Sequence, residues 1–309
     1  MACAAYQQGF KPLTLYFIIS MHKNKKLVFY LLATLFIAET VSAQQLEKQI
    51  PYPASPDKVI GFLEFRPKDY GKQQHPLIIF LHGWDERGDG SALQIQKVTA
   101  NGIPRICAAG ASMRFTYNGK TSSFVVLSPQ LSRQYGLWPA WYVKEMIKYA
   151  KANLQIDTNR IYVTGISMGG GGTWAAITDS PELTSLIAAA APVCGTQDTN
   201  DGNYANTVGA YHLPIWAFHS MDDKTVPVNC TQHAEILANI RKVTPAAKFT
   251  YYQTGGHAGA WINAYDTGHI TSKLKDGSSF TAKPNLYEWF LSKNRISNGD
   301  SAVVIGVKK

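Results

Sequence analysis

The sequence predicts an α/β fold with a mainly parallel central sheet and helices on both faces. Short, continuously apolar runs alternate with stretches of helical periodicity from about residue 75 to 293. Runs of that kind suit strands buried on both faces, and strand–helix alternation gives parallel pairing through helical crossovers. With 309 residues, 45% hydrophobic and only 17% charged, the chain can bury a large core and does not have the composition of a disordered protein.

Residues 1–43 are expected to be a targeting segment, outside the fold. Met21-His-Lys-Asn-Lys-Lys is basic, Leu27 to Ala38 is apolar, and Val41-Ser42-Ala43 is a small-x-small end. That order is a secretory signal peptide, cleaved after Ala43, with Met21 as the natural start. The apolar run falls short of the roughly 20 residues a bilayer span needs, so no stable membrane span is expected after cleavage. Residues 44–74 read as an N-terminal β-meander with a strand over Val59–Phe65. Strands follow at Leu77–Leu81, Phe124–Leu127, Arg160–Thr164, Leu186–Val193, Pro214–Phe218 and Lys248–Tyr252. Helices are expected at Trp138–Ala152, Ser167–Thr178, Cys230–Val243 and Leu286–Leu291. Together 44–296 form one predicted domain, and 297–309 a short C-terminal tail.

The whole chain carries +9. Loss of 1–43 removes four lysines and one glutamate, which leaves +6. No dense Lys/Arg block lies in 44–309, so no nucleic-acid partner is expected. Cys107, Cys194 and Cys230 remain after cleavage; one disulfide is possible and its pairing is open. Neither CxxC nor HExxH occurs, and no metal or cofactor is expected.

The chemistry centres on Gly165-Ile166-Ser167-Met168-Gly169. It follows a strand and opens a helix, the context in which G-x-S-x-G exposes a nucleophilic serine, as in α/β-hydrolases. A serine hydroxyl needs a base and a group that orients the base. In this chain order the acid comes next and the histidine last. After the fifth of the strands from Leu77 onward stands His219-Ser-Met-Asp222-Asp223-Lys-Thr-Val-Pro227, and after the sixth Gly255-Gly256-His257. His257, in a strand-end loop, is the expected base, with His269 the second choice. Asp223 or Asp222 is the acid, since adjacent side chains in an extended loop point apart. The backbone N–H groups of Met168 and of Trp84, in Leu81-His82-Gly83-Trp84, are the expected oxyanion donors. His82 is expected to brace that loop, and Glu86 and Arg87 to form an ion pair fixing it. Trp84 and Trp261 flank catalytic elements and are the substrate-contact candidates. Trp138 and Trp141 are weaker ones, and Trp174 is expected in the core.

Phe80-Leu81-His82-Gly83-Trp84-Asp85-Glu86-Arg87-Gly88 resembles the LHG-x-x-ERG signature of secreted dienelactone-hydrolase-like and polyhydroxybutyrate-depolymerase-like esterases, including those called predicted peptidases. Ser128-Pro129-Gln130, Arg160 to Gly170, Ala191 to Gly195 and Pro214 to His219 are similar to the same family. The resemblance covers roughly residues 75–293. It implies a secreted serine esterase of polysaccharide-borne or related acyl groups, without a cofactor. The family's HG-x-x-D-x-x-VP stretch, laid on His219 to Pro227, selects Asp223, and its GH…W selects His257 and Trp261. Two departures stand out: Ser220 occupies a glycine position, and Asn263 to Lys283 is an insertion near the expected substrate mouth. A serine peptidase on the same fold and a non-catalytic glycan-binding protein are the rival expectations.

Overall fold

A computed structural model describes residues 43–52, 55–195, 213–240, 247–267, 271–273, 279–281 and 284–295. The expected signal peptide before Ala43, the tail from 297, His269 and much of the 263–283 insertion lie outside them. The elements in chain order are β1 (Gln44–Tyr52), β2 (Ser55–Arg66), β3 (His75–Leu81), α1 (Ala92–Ile95), α2 (Gly102–Ala108), β4 (Arg114–Tyr117), β5 (Lys120–Ser123), β6 (Val125–Pro129), α3 (Trp141–Asn153), β7 (Ile156–Ile166), α4 (Met168–Thr178), α5 (Pro181–Thr184), β8 (Ala189–Val193), β9 (Trp216–Ser220), α6 (Asn229–Ile240), β10 (Lys248–Tyr252), α7 (Gly256–Ala264), β11 (Thr271–Lys273), β12 (Ser279–Thr281) and α8 (Leu286–Leu291).

Eight strands form one sheet in the order β1-β2-β6-β3-β7-β8-β9-β10. The expected N-terminal meander is the antiparallel β1–β2 pair, and β2 joins β6 antiparallel; every pairing from β6 to β10 is parallel. Side chains alternate across the pleat, so β3 feeds two cores. Ile79 and Leu81 pack with Met146 of α3, Trp174 of α4 and Ala234 of α6. Ile78 and Phe80 pack on the other face with Ile103 of α2, Ala260 of α7 and Phe290 of α8. Every residue of β3, β6, β8 and β9 is buried, which is why each of those segments carries an unbroken apolar run. Among the described residues no helix is long and apolar enough to cross a membrane.

Several boundaries differ from expectation for local reasons. The third helix starts at Trp141, three residues past the expected Trp138; Trp138 is itself buried and donates its Nε1–H to His82 O at 3.0 Å. β8 begins at Ala189, because Leu186 and Ile187 are tied back to Leu183 and Thr184 of α5. The β4–β5 hairpin was not expected, although Asn118-Gly119 marks it. Both residues have positive φ, 47° and 74°, as a two-residue hairpin turn requires. Cys107 and Cys194 are buried free thiols, so neither takes part in the disulfide considered above.

Candidate active site

Ser167 sits between the end of β7 and the start of α4 with φ 54° and ψ −119°, a strained backbone for a residue bearing a Cβ. The strain is imposed by crowding. A Cβ on Gly165 would lie 2.4 Å from Gly169 O, and one on Gly169 would lie 2.0 Å from Leu81 O. The two glycines therefore permit the strand, turn and helix to close on one another, and the turn pushes the hydroxyl outward. Ser167 N–H donates to Val193 O at 2.9 Å, which ties the turn to β8.

The structure brings Ser167, His257 and Asp223 together. Ser167 Oγ lies 2.8 Å from His257 Nε2, and His257 Nδ1 lies 2.6 Å from Asp223 Oδ2. An ionised carboxylate only accepts, so Nδ1 carries the proton and Nε2 presents its lone pair to the serine hydroxyl. Asp223 Oδ1 accepts from Thr225 N–H at 2.9 Å and Val226 N–H at 3.0 Å. Burial alone would raise the Asp223 pKa; the donors from His257, Val226 and Thr225 outweigh it and hold the carboxyl below its usual value.

His257 was expected in a loop, but it stands in the first turn of α7. Gly255 (φ 128°) and Gly256 (φ 61°) turn the chain sharply after β10, so the helix begins before the histidine rather than after it. Asp222 is not idle beside Asp223. Its carboxylate accepts from Gly255 N–H at 3.2 Å and Gly256 N–H at 2.8 Å, joining the acid loop to the histidine's turn. The two aspartates do point apart, one to the imidazole and one to this turn.

The loop after β3 lies beside the serine: a Cβ on Gly83 would be 3.8 Å from Ser167 Cβ. His82 braces it. Leu131 N–H donates to His82 Nε2 at 2.9 Å, which leaves Nδ1 protonated toward Gly83 O at 2.6 Å. Burial depresses the His82 pKa to about 4, so the ring is neutral near pH 7. Glu86 and Arg87 do not form the expected pair. Glu86 Oε1 accepts from Asn101 Nδ2 at 2.6 Å. The Arg87 guanidinium instead covers the Trp84 ring at 3.3 Å and donates to Trp84 O and Tyr135 O, both at 3.0 Å. Neighbouring carbonyls and an aromatic face satisfy the arginine without Glu86.

Met168 opens α4, where first-turn N–H groups have no partner within the helix. Trp84 is 53% exposed, with one ring face taken by Arg87. Trp261 stands edge-on to the His257 ring at 5.0 Å. Trp138 and Trp174 are buried, and Trp141 stacks on Tyr142, so these three are packing residues. Cys194 Sγ, an Asp223 oxygen and a His257 nitrogen lie within 4.8 Å of one another. Asp223 and His257 already direct those atoms at each other, so the arrangement suits proton transfer rather than metal ligation. His219, to which no role was assigned from the sequence, is buried and lies 3.2 Å from Asp223 Oδ2.

Residues 68–260 match the phospholipase/carboxylesterase family, a span that holds the serine turn, the acid loop and the histidine. The chain belongs to that family. As a phospholipase/carboxylesterase family member it has the α/β-hydrolase fold, which is the architecture described above. A Salmonella typhi protein provisionally named carboxymethylenebutenolidase is 24% identical over 136 residues, 43% of this chain and 47% of that protein. A thermostable esterase of known crystal structure is 26% identical, with a TM-score of 0.57 over 81% of this chain and 63% of its own. The chain thus spans less than two thirds of either protein. The feruloyl esterase module from Clostridium thermocellum, solved as a mutant with sinapinate, shares the fold at 11% identity, with a TM-score of 0.52 over 72% of this chain and 84% of its own.

Proposed function

We propose that this chain is a serine esterase: it hydrolyses carboxylic esters through an acyl-enzyme, with Ser167 as nucleophile, His257 as base and Asp223 as the acid that orients the base. The observation that carries the reading is the continuous relay from Ser167 Oγ through the imidazole to the Asp223 carboxylate, at 2.8 and 2.6 Å, behind a strained serine turn. His257 Nε2 takes the hydroxyl proton as Oγ attacks the ester carbonyl. Asp223 stabilises the imidazolium that results, and His257 then returns the proton to the leaving alcohol. A water deprotonated by the same nitrogen releases the acid. The N–H groups of Met168 and Trp84 receive the developing oxyanion, a role worth about 2.7–4 kcal/mol per donor.

The substrate in this reading is an acyl group on a polysaccharide or a related ester, met outside the cytoplasm. The half-exposed Trp84 beside the oxyanion loop and Trp261 beside His257 support an aromatic-lined mouth. The basic, apolar and small-residue order over residues 21–43 supports export, which N-terminal sequencing of the protein from its native compartment tests.

Labelling by a fluorophosphonate probe and turnover of short p-nitrophenyl esters test the chemistry. Ser167→Ala is expected to abolish labelling and lower kcat by about 10⁶ while the protein stays folded. Retained turnover would remove Ser167 from the mechanism. A panel of feruloyl, acetyl, polyhydroxyalkanoate and peptide substrates separates the esterase from the peptidase reading.

A further inference from the structure

Asp223 Oδ2 has a second imidazole beside it. His219 is the fourth residue of β9 and is fully buried. Its Nε2 lies 2.9 Å from Val226 O and 3.2 Å from Asp223 Oδ2. A carbonyl and a carboxylate only accept, so Nε2 carries the ring proton. Nδ1 then has only a lone pair, which receives the Thr231 hydroxyl from α6 at 2.8 Å. Threonine and carbonyl together fix both the tautomer and the plane of the ring.

We propose that His219 is a positioning residue: its Nε2–H, given to Val226 O and oriented by Thr231, presents its positive end 3.2 Å from Oδ2 and steadies the Asp223 carboxylate where Oδ2 meets His257 Nδ1. This rests on the reading of Ser167, His257 and Asp223 given above. A carboxylate can rotate about its Cβ–Cγ bond. The Thr225 and Val226 amides both act on Oδ1, so direct resistance to that rotation at Oδ2 comes from the imidazoles beside it. His257 is a poor second pin, because it must shift its own charge state and partners during turnover. His219 is suited to that task. It is neutral and buried, and burial holds its pKa below the usual histidine value.

Among the described residues, the ionisable groups facing Asp223 are few. His257 comes from α7 and His219 from β9, while the Cys194 thiol follows β8 with its pKa raised by burial. Asp222 is turned toward the Gly255 and Gly256 amides. Removing the His219 N–H withdraws a positive dipole from the carboxylate. The unshared charge then acts more strongly on His257 and favours its cation, so the base titrates at higher pH.

His219→Phe keeps a ring in the cavity and removes both nitrogens; His219→Gln keeps an amide donor. The measurements are kcat and KM for a p-nitrophenyl ester across pH, and the far-downfield proton NMR signal of His257 Nδ1–H in the resting enzyme. The Phe variant is expected to lose kcat by roughly tenfold or more at little change in KM. Its acid limb and NMR midpoint are expected to rise by about half a pH unit, and the Gln variant to restore most of both. A folded Phe variant with unmoved limb and midpoint would overturn the proposal, because a purely structural role lowers the amount of folded protein without moving either. If the Phe variant does not fold, Thr231→Val withdraws the bond that orients the ring; a smaller upward shift supports the proposal and an unmoved midpoint overturns it. Should the wild type turn over no ester, the esterase reading fails, while the NMR titration still decides the role of His219.

Discussion

The loop after β3 and the turns after β9 and β10 both bring a histidine to the C-terminal edge of the sheet, yet only one of those histidines meets the serine as a base. His82 spends its Nε2 lone pair on the Leu131 amide and its Nδ1–H on Gly83 O. His219 spends its lone pair on Thr231 and its N–H on Val226 O, with Asp223 Oδ2 alongside at 3.2 Å. His257 gives its N–H to a carboxylate and keeps its lone pair for Ser167 Oγ. The rings are chemically identical; what separates brace from base is which atom the backbone has already claimed. A histidine whose lone pair is met by a buried amide cannot take a proton without breaking that bond.

The sharpest way to break this contrast is to change the partner of His257. Asp223→Asn offers an amide where the carboxylate stood, so Nδ1 no longer has a committed acceptor and the tautomer reverses. Its kcat is expected to fall by about 10⁴ in ester hydrolysis, with the fold retained by circular dichroism. A loss below tenfold would mean that His257 is oriented by something else.

On the brace side the cost is stability. His82→Leu strands the buried Leu131 N–H and the Gly83 carbonyl, and is expected to remove about 2–4 kcal/mol in urea unfolding. The wild type carries a pH signature of the same residue. His82 binds its proton near pH 6.5 when unfolded but only near 4 when folded. Between those values the unfolded state holds more protons, so stability falls as pH drops from 6.5 to 4 and this contribution levels off below. The Leu variant should flatten that slope; an equally steep slope would assign it to other groups.

A smaller effect is expected at the junction between the regions' two catalytic turns. Asp222→Asn can accept from only one of Gly255 and Gly256 well, so His257 is held less firmly; kcat/KM should drop by roughly tenfold with the acid limb of its pH profile unmoved. A limb that moved with it would give Asp222 a direct electrostatic part. Smallest of all, Trp84→Ala removes a half-exposed ring capped by Arg87 and is expected to raise KM for aromatic esters a few-fold at constant kcat. An unchanged KM would take Trp84 out of the substrate mouth.

Sequence alone determined the alternation of strands and helices, because runs such as Leu77–Leu81 and Ala189–Val193 are buried on both faces and their composition records it. It also marked the serine turn, since a Cβ on Gly165 or Gly169 would come within 2.0–2.4 Å of a backbone oxygen and only glycine fits there. The choice between Asp222 and Asp223 was visible there only through a family pattern. Two adjacent carboxylates carry the same local signal, and the direction each takes depends on what the β10–α7 turn presents to it. The Glu86–Arg87 pair failed for the same reason: opposite charges side by side in sequence had better partners in Asn101 and in the face of Trp84. Motif position and chain order marked His82 as brace and His257 as base; only the tertiary structure gave His219 a part and showed which nitrogen each ring commits. A histidine's role follows from the atoms around its two nitrogens, and the deciding ones, Leu131 N–H for His82 and Asp223 and Ser167 for His257, come from segments far along the chain.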